Sequence, residues 1–394
     1  MSMSTKNEIF KILEKVGESL EITKTQRQLA EDRYKAVGKW LAEGEYCLLG
    51  DGKKQCFKDG EIYPQGSFRL ETTVKPIGKN EFDIDLVFYT PNVSADMITP
   101  ERLKELVGNR LKEHDTYKKM LTPLNRGWCI NYANEFHLDV TPSLDNHFEP
   151  HNESELVADK KLERYMPTNP EGYANWFDYI ASMQPILKST KELFESRNMM
   201  ITTEDAAIVT ELPEHNPNKP LLKRFIQIFK RHRDIMFDGK EDAPISIIIT
   251  TLATKSYEYC IQNYSYDNEY ALMMDTLKYM TKFIENRNGY WIENPTVNGE
   301  NFAEKWNYKP IKKQNFDNWH NKIIGIFESI INLQGQHLIF ESLRNGLGES
   351  PVNKVYKDMT DNVTQNRLNG LLSLGLSSNA TDSFAMKQNT FFGK

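Results

Sequence analysis

Asp83 and Asp85 stand two residues apart inside FDIDLVFY, residues 82–89, a run otherwise rich in β-formers. Side chains at i and i+2 of a strand point to the same face. The run therefore predicts a strand that turns Ile84 and Leu86 to the core and presents two carboxylates together. Neither Phe82 nor Leu86 is a basic partner, and like charges on one face repel unless a cation sits between them. Asp139, in the alternating run His137-Leu138-Asp139-Val140, is the candidate third carboxylate from a neighbouring strand. Three such groups make an all-oxygen site suited to two Mg²⁺ or Mn²⁺ ions.

That is what two-metal phosphoryl transfer requires, with the ions about 3.5–4 Å apart. On this reading Asp83 and Asp85 bridge both metals, and Asp139 serves the one that activates the acceptor hydroxyl. Gly66-Ser67, between stretches 61–65 and 69–74 that both read as extended, supplies the other half. Glycine lets a backbone approach a phosphate closely, and exposed N–H groups with the Ser67 hydroxyl can bind phosphate oxygens. The Walker lysine loop is absent, so this is not a P-loop enzyme. Each piece alone is weak. D-x-D occurs on ordinary surfaces and Gly-Ser in ordinary turns; the ordered set with apolar flanks is far more specific.

Around this set, helical spacing predicts one or two amphipathic helices over 6–45, with Thr5-x-x-Glu8 and Thr25-x-x-Gln28 as possible capping boxes. A helix is expected over 100–111, and two extended stretches over 128–140, broken near 131–134. The first ~150 residues thus read as a mixed sheet with flanking helices. From Asn175 onward helices dominate: a basic one over 221–236, a more apolar one over 244–260, then 268–285 and 315–345. On the basic helix Lys223 and Lys230 share a face, and Arg224 and Arg231 the adjacent one. Lys223, Lys230 and Arg231 are the candidates for a triphosphate, against the plainer reading of a solvated basic face. Tyr257 is a candidate to stack on a base, with core packing at least as good an account. His137 would share the face of Asp139, where a structural hydrogen bond suits it better than Mg²⁺.

The 394 residues carry a formal net charge of −6, so bulk electrostatics do not favour nucleic acid, and phosphate contacts must come from local basic clusters. Cys47, Cys56, Cys129 and Cys260 form no C-x-x-C pair, which leaves reduced, partly buried thiols as the expectation. No signal-peptide pattern and no run near the ~20 apolar residues of a membrane helix is present, so a cytoplasmic protein is expected. The last residues, from Ala380, are small and polar and read as a disordered tail.

Gly-Ser, then h-D-h-D-h, then h-h-D-h resembles the polymerase-β-like nucleotidyltransferases. Gly66-Ser67-Phe68-Arg69-Leu70-Glu71-Thr72 and Glu81-Phe82-Asp83-Ile84-Asp85-Leu86 narrow the resemblance to the bacterial cGAS/DncV-like nucleotidyltransferases, or CD-NTases. Residues 170–177 (PEGYANWF), Lys230-Arg231-His232-Arg233-Asp234 with the apolar run after it, and Asn294-Pro295 followed by Glu300-Asn301-Phe302 and Trp306 are similar to later segments of that family. Matching motifs span about residues 60 to 310. Phe225 or Ile228 stands where related enzymes often carry tryptophan.

The resemblance implies an α+β, bilobed enzyme. Residues 1–170 would form the polymerase-β-like core with its N-terminal helices, 171–379 a helical oligoadenylate-synthase-type domain, and 380–394 a flexible tail. It implies cyclic oligonucleotides made from NTPs (ATP, and GTP as a further substrate) with pyrophosphate release, as messengers in CBASS anti-phage defence. The general appearance is nearest the branch making adenine-containing cyclic trinucleotides; cyclic dinucleotides and linear 2′-5′ oligoadenylates are the alternatives. Operon-encoded ubiquitin-transferase-like or HORMA-type regulators are implied partners, with Gly393 as the conjugated tail residue, and no nucleic-acid activator is required. An inactive binding module is disfavoured because all three aspartates are present.

Overall fold

The computed structural model describes residues 3–368 apart from 51–52, 59, 79–80, 92, 134, 147–153, 160–162 and 188–218, together with 373–374 and 384–385. The chain begins with two helices, α1 (Met3–Ser19) and α2 (Lys24–Ala42). The capping box falls two residues earlier than expected. The Thr23 hydroxyl accepts from the Gln26 backbone N–H, and the Gln26 side-chain oxygen accepts from the Thr23 backbone N–H. Thr5 lies inside the first turn of α1 rather than ahead of it.

A hairpin of β1 (Tyr46–Gly50) and β2 (Lys53–Phe57) comes next, then β3 (Glu61–Gln65) and a single helical turn, α3 (Gly66–Arg69). The extended stretch expected over 69–74 does not form. Gly66 takes φ +63°, which lets the chain pass from β3 straight into that turn, closed by Leu70 N–H to Gly66 O at 3.1 Å.

The acidic strand is β4 (Phe82–Thr90). After it come α4 (Pro100–Glu113), capped by Thr99, α5 (Asp115–Met120), β5 (Leu121–Pro123), β6 (Trp128–Tyr132), β7 (Phe136–Asp145), β8 (Glu155–Asp159) and β9 (Arg164–Thr168). Strands β3 to β9 make one mixed sheet in the order β3-β4-β7-β6-β5, with β8 also on β7 and β9 on β8. Only β4 and β7 run parallel, with Asp85 opposite Asp139 and Asp83 opposite His137. Burial along the first half of β4 alternates as a half-covered strand should: Phe82, Ile84 and Leu86 are buried, Asp83 is exposed and Asp85 intermediate.

The second half is helical: α6 (Pro170–Ser182), α7 (Leu221–Met236), α8 (Ser246–Asn263), α9 (Glu269–Tyr279), α10 (Glu304–Tyr308), α11 (Ile311–Ile330), α12 (Gln336–Leu347) and α13 (Glu349–Leu368). Two apolar cores result. One joins α2 and α4 to the sheet through Tyr34, Val37, Leu103, Ile84 and Leu138. The other gathers α6 to α13 and, from the far end of the chain, α1 through Ile9, Phe10, Leu13 and Val16. So α1 packs in the helical half and α2 on the sheet. The oppositely charged pair Arg224–Glu21, at 3.0 Å, bridges α7 to the turn between them.

The cysteine expectation needs correcting. The antiparallel register of β1 and β2 sets Cys47 opposite Cys56, Cα to Cα 4.0 Å, and the two form a disulfide. A spacing of nine residues does not reveal this without the hairpin. Cys129 and Cys260 are buried free thiols, as expected. Among the described residues no helix is long and apolar enough to cross a membrane.

Candidate active site

The carboxylates of Asp83, Asp85 and Asp139 share one side of the sheet because β4 and β7 are parallel neighbours in register. β3 brings Gly66 to the same place, since Gln65 pairs with Asp85. A side chain at position 66 would set its Cβ 2.4 Å from Asp85 Oδ2, so glycine is needed for contact as well as for φ. The three aspartates, Gly66, Ser67 and Lys230 of α7 all line one cavity of about 620 Å³ between sheet and helices. That volume lies within the range of ligand pockets.

Burial pushes the Asp85 carboxyl up to about 7, helped by the charges of Asp139 and Asp83 and opposed by Lys230. Asp139 is also raised, first by burial; the Cys129 thiol, opposite it on β6, bonds to its carboxylate and works the other way. Lys230 is lowered to about 7 by burial, then by the nearby Arg233 charge. Desolvation and like charge thus hold part of the cluster near neutrality, a pattern found at sites that await a cation.

A divalent cation fits what is there. Asp139 Oδ1 is buried with no hydrogen-bond partner, and the donors are all carboxylate oxygens. The groups converge without closing on a point: among the described residues only Glu45, Cys47 and Cys56 bring three ligand atoms within 4.8 Å of one another, and there both sulfurs are in the disulfide. Asp83 turns instead toward His137, whose Nδ1 lies 3.1 Å from its carboxylate while Nε2 pairs with Glu81 at 2.7 Å.

The Second Messenger Oligonucleotide or Dinucleotide Synthetase domain family matches residues 3–180. The c-di-GMP synthase of Roseivirga ehrenbergii is 29% identical over 402 aligned positions, which cover all of this chain and 99% of that protein. The chain is similar to the CD-NTases over its whole length. Solved relatives share the fold. Bradyrhizobium diazoefficiens CdnG in complex with GTP superposes with a TM-score of 0.65 at 19% identity, covering 90% of this chain and 99% of that one. Vibrio cholerae DncV in its GTP-bound form gives 0.52 at 14%, covering 88% and 86%. Escherichia coli CdnC, solved with a HORMA protein, gives 0.55 at 10%, covering 84% and 94%. The chain is a nucleotidyltransferase and a cyclic oligonucleotide second-messenger synthase, with the expected α+β fold.

Three residues singled out from the sequence lie away from the cavity wall. Lys223 is buried against Glu71 and Asp178, each at 2.8 Å. Arg231 donates to the backbone oxygens of Leu347 and Lys75. Tyr257 is fully buried, edge-on to Phe225, and its hydroxyl donates to Met183 O at 3.1 Å. The plainer account of Tyr257 as core is the one its surroundings match. The solvated basic face does not exist: Leu221 to His232 are all buried, because α7 runs between sheet and helices. Gly393 falls outside the described residues.

Two further residues beside the aspartates were not singled out from the sequence as site residues. Arg233 lines the wall, held by Asp234 at 2.6 Å and by Pro244 O at 2.8 Å. Its place in the run Lys230-Arg231-His232-Arg233-Asp234 was visible but gave no register. Cys129 carries no motif, and only the β6–β7 pairing reveals it.

Proposed function

We propose that this protein is a CD-NTase that makes a cyclic dinucleotide from GTP, acting on Mg²⁺ (or Mn²⁺) complexes of the nucleotide. The observation that carries the proposal is the convergence of Asp83, Asp85, Asp139, Gly66, Ser67 and Lys230 on one cavity. When bound, two divalent ions would lower the pKa of the acceptor hydroxyl and neutralise the triphosphate. Asp83 and Asp85 would hold both ions, and Asp139, with its orphaned oxygen, the ion at the acceptor. Gly66-Ser67 would receive the terminal phosphates, and Lys230 would balance their charge across the cleft. The acceptor ribose oxygen bonds to the α-phosphorus, the α–β phosphoanhydride bond breaks, pyrophosphate leaves and the hydroxyl proton passes to solvent. A second transfer closes the ring.

Guanine and a two-membered ring are supported by the end-to-end similarity to a c-di-GMP synthase. The adenine-containing trinucleotide is the second outcome of the same assay. A role in anti-phage signalling, a cytoplasmic location and regulation by a HORMA-type or ubiquitin-transferase-like partner belong to the proposal as well; the HORMA complex of CdnC supports the first kind of partner.

The test is to incubate the purified protein with labelled NTPs and Mg²⁺ or Mn²⁺, treat with phosphatase and weigh the products. A phosphatase-resistant dinucleotide mass containing only guanine is expected, falling by at least about 10²-fold in Asp83→Ala. Only phosphatase-sensitive products would mean a linear oligonucleotide synthase instead.

A further inference from the structure

The face of α7 that the sequence offered to a triphosphate is occupied by the enzyme's own chain. Lys223, Gln227, Lys230 and Arg231 follow one another at helical spacing. Lys223 pairs with Glu71 at 2.8 Å, Lys230 donates to Thr72 Oγ1 at 2.8 Å, Gln227 to Thr73 O at 3.0 Å and Arg231 to Lys75 O at 3.1 Å. The backbone oxygens of Thr73 and Lys75 thus find on the helix the donors that a neighbouring strand would otherwise supply, while Glu71 and Thr72 are held there by their side chains.

At one end of this seam a continuous chain of charges forms. Arg69 pairs with Asp178 of α6 at 2.8 Å, Asp178 with Lys223 at 2.8 Å, and Lys223 with Glu71. It starts and ends in the segment directly after Gly66-Ser67, two residues apart. Glu71 adopts φ +55°, left-handed backbone that is unfavourable for a residue with a Cβ. Such a conformation persists where its surroundings hold it, and it gathers at sites that need a fixed geometry. The carboxylate of Glu71 is nearly buried against Lys223, with 11% of its side chain exposed.

We propose that Arg69, Asp178, Lys223 and Glu71 form a clasp that positions the Gly66-Ser67 loop for the nucleotide phosphates. These are positioning residues, which fix the loop against the helical half before substrate arrives. The proposal rests on the assignment of the cavity as the nucleotide site.

The experiment measures binding of a fluorescent GTP analogue, GTP turnover and melting temperature in Glu71→Gly, Glu71→Gln and Lys223→Met. Glu71→Gly removes the carboxylate while easing the backbone, so its melting temperature should stay within a few degrees of wild type. The expected result is a KM and analogue Kd raised about tenfold with kcat within about twofold, and a Glu71→Gln/Lys223→Met double variant no worse than either single one. Tyr257→Phe, a core change outside the clasp, should leave KM unmoved and calibrates the effect of lost stability alone. Unchanged KM and Kd in all folded clasp variants, or losses that simply add, would overturn the clasp and leave the cavity assignment standing. A wild-type protein that neither binds the analogue nor turns over any NTP would overturn both.

Discussion

Asp85 is where the chemistry of the single residue reaches furthest. Its carboxyl, ordinarily ionised above pH 4, is held protonated up to about 7 by burial and by Asp139 and Asp83. The folded protein therefore binds more protons than the unfolded chain between about pH 4 and 7. Stability from this group falls as pH rises through that window, and its cost is complete above it. A divalent ion among the carboxylates removes the cost, but below pH 7 it must first displace the proton. Added Mg²⁺ should accordingly raise the melting temperature more at pH 8 than at pH 5.5, and in Asp85→Asn the pH dependence of that gain should flatten. Equal gains at both pH values in the wild type would show that Asp85 does not meet the ion.

At the level of elements, β4 and α7 show what a sequence can and cannot reveal. The D-x-D strand was legible because alternation is local: Ile84 and Leu86 announce the buried side, and Asp83 and Asp85 the other. The extent of α7 was legible for the same reason. What its basic residues touch was not, since periodicity separates faces but does not say what covers them. Lys223 and Arg231 met a loop 150 residues away in the chain, and Lys230 alone of the three reached the cavity wall. The cystine in the hairpin and the turn after Gly66 were hidden likewise, because each depends on a pairing or a positive φ. Tyr257 on α8 puts the distinction to a test. Removing its hydroxyl loses one buried bond to Met183 O, so Tyr257→Phe should cost about 1 kcal/mol in denaturant unfolding with nucleotide affinity unaltered. Weakened nucleotide binding would return Tyr257 to the site.

In the whole molecule the two apolar cores do not divide the chain at one point, because α1 joins the helical half. Its buried side chains include Ile9, Phe10, Ile12, Leu13 and Val16, each contributing about 1.5–3 kcal/mol by burial. Together they rival the ~5–15 kcal/mol by which a domain is usually stable. A chain lacking α1 should therefore expose apolar surface on α7 and α9, bind a hydrophobic dye and melt without a cooperative transition. A cooperative melt near the wild-type temperature would show that the helical half stands without it. The same interleaving has a meaning for synthesis on the ribosome. Asp83, Asp85 and Asp139 emerge with the sheet, whereas Lys230 and the partner of Glu71 arrive only with α7. A nascent or truncated chain ending before residue 221 carries the negative cluster without Lys230 and without the lysine that pairs with Glu71. Such a half-made chain is expected to be mute, yielding no cyclic product from labelled NTPs.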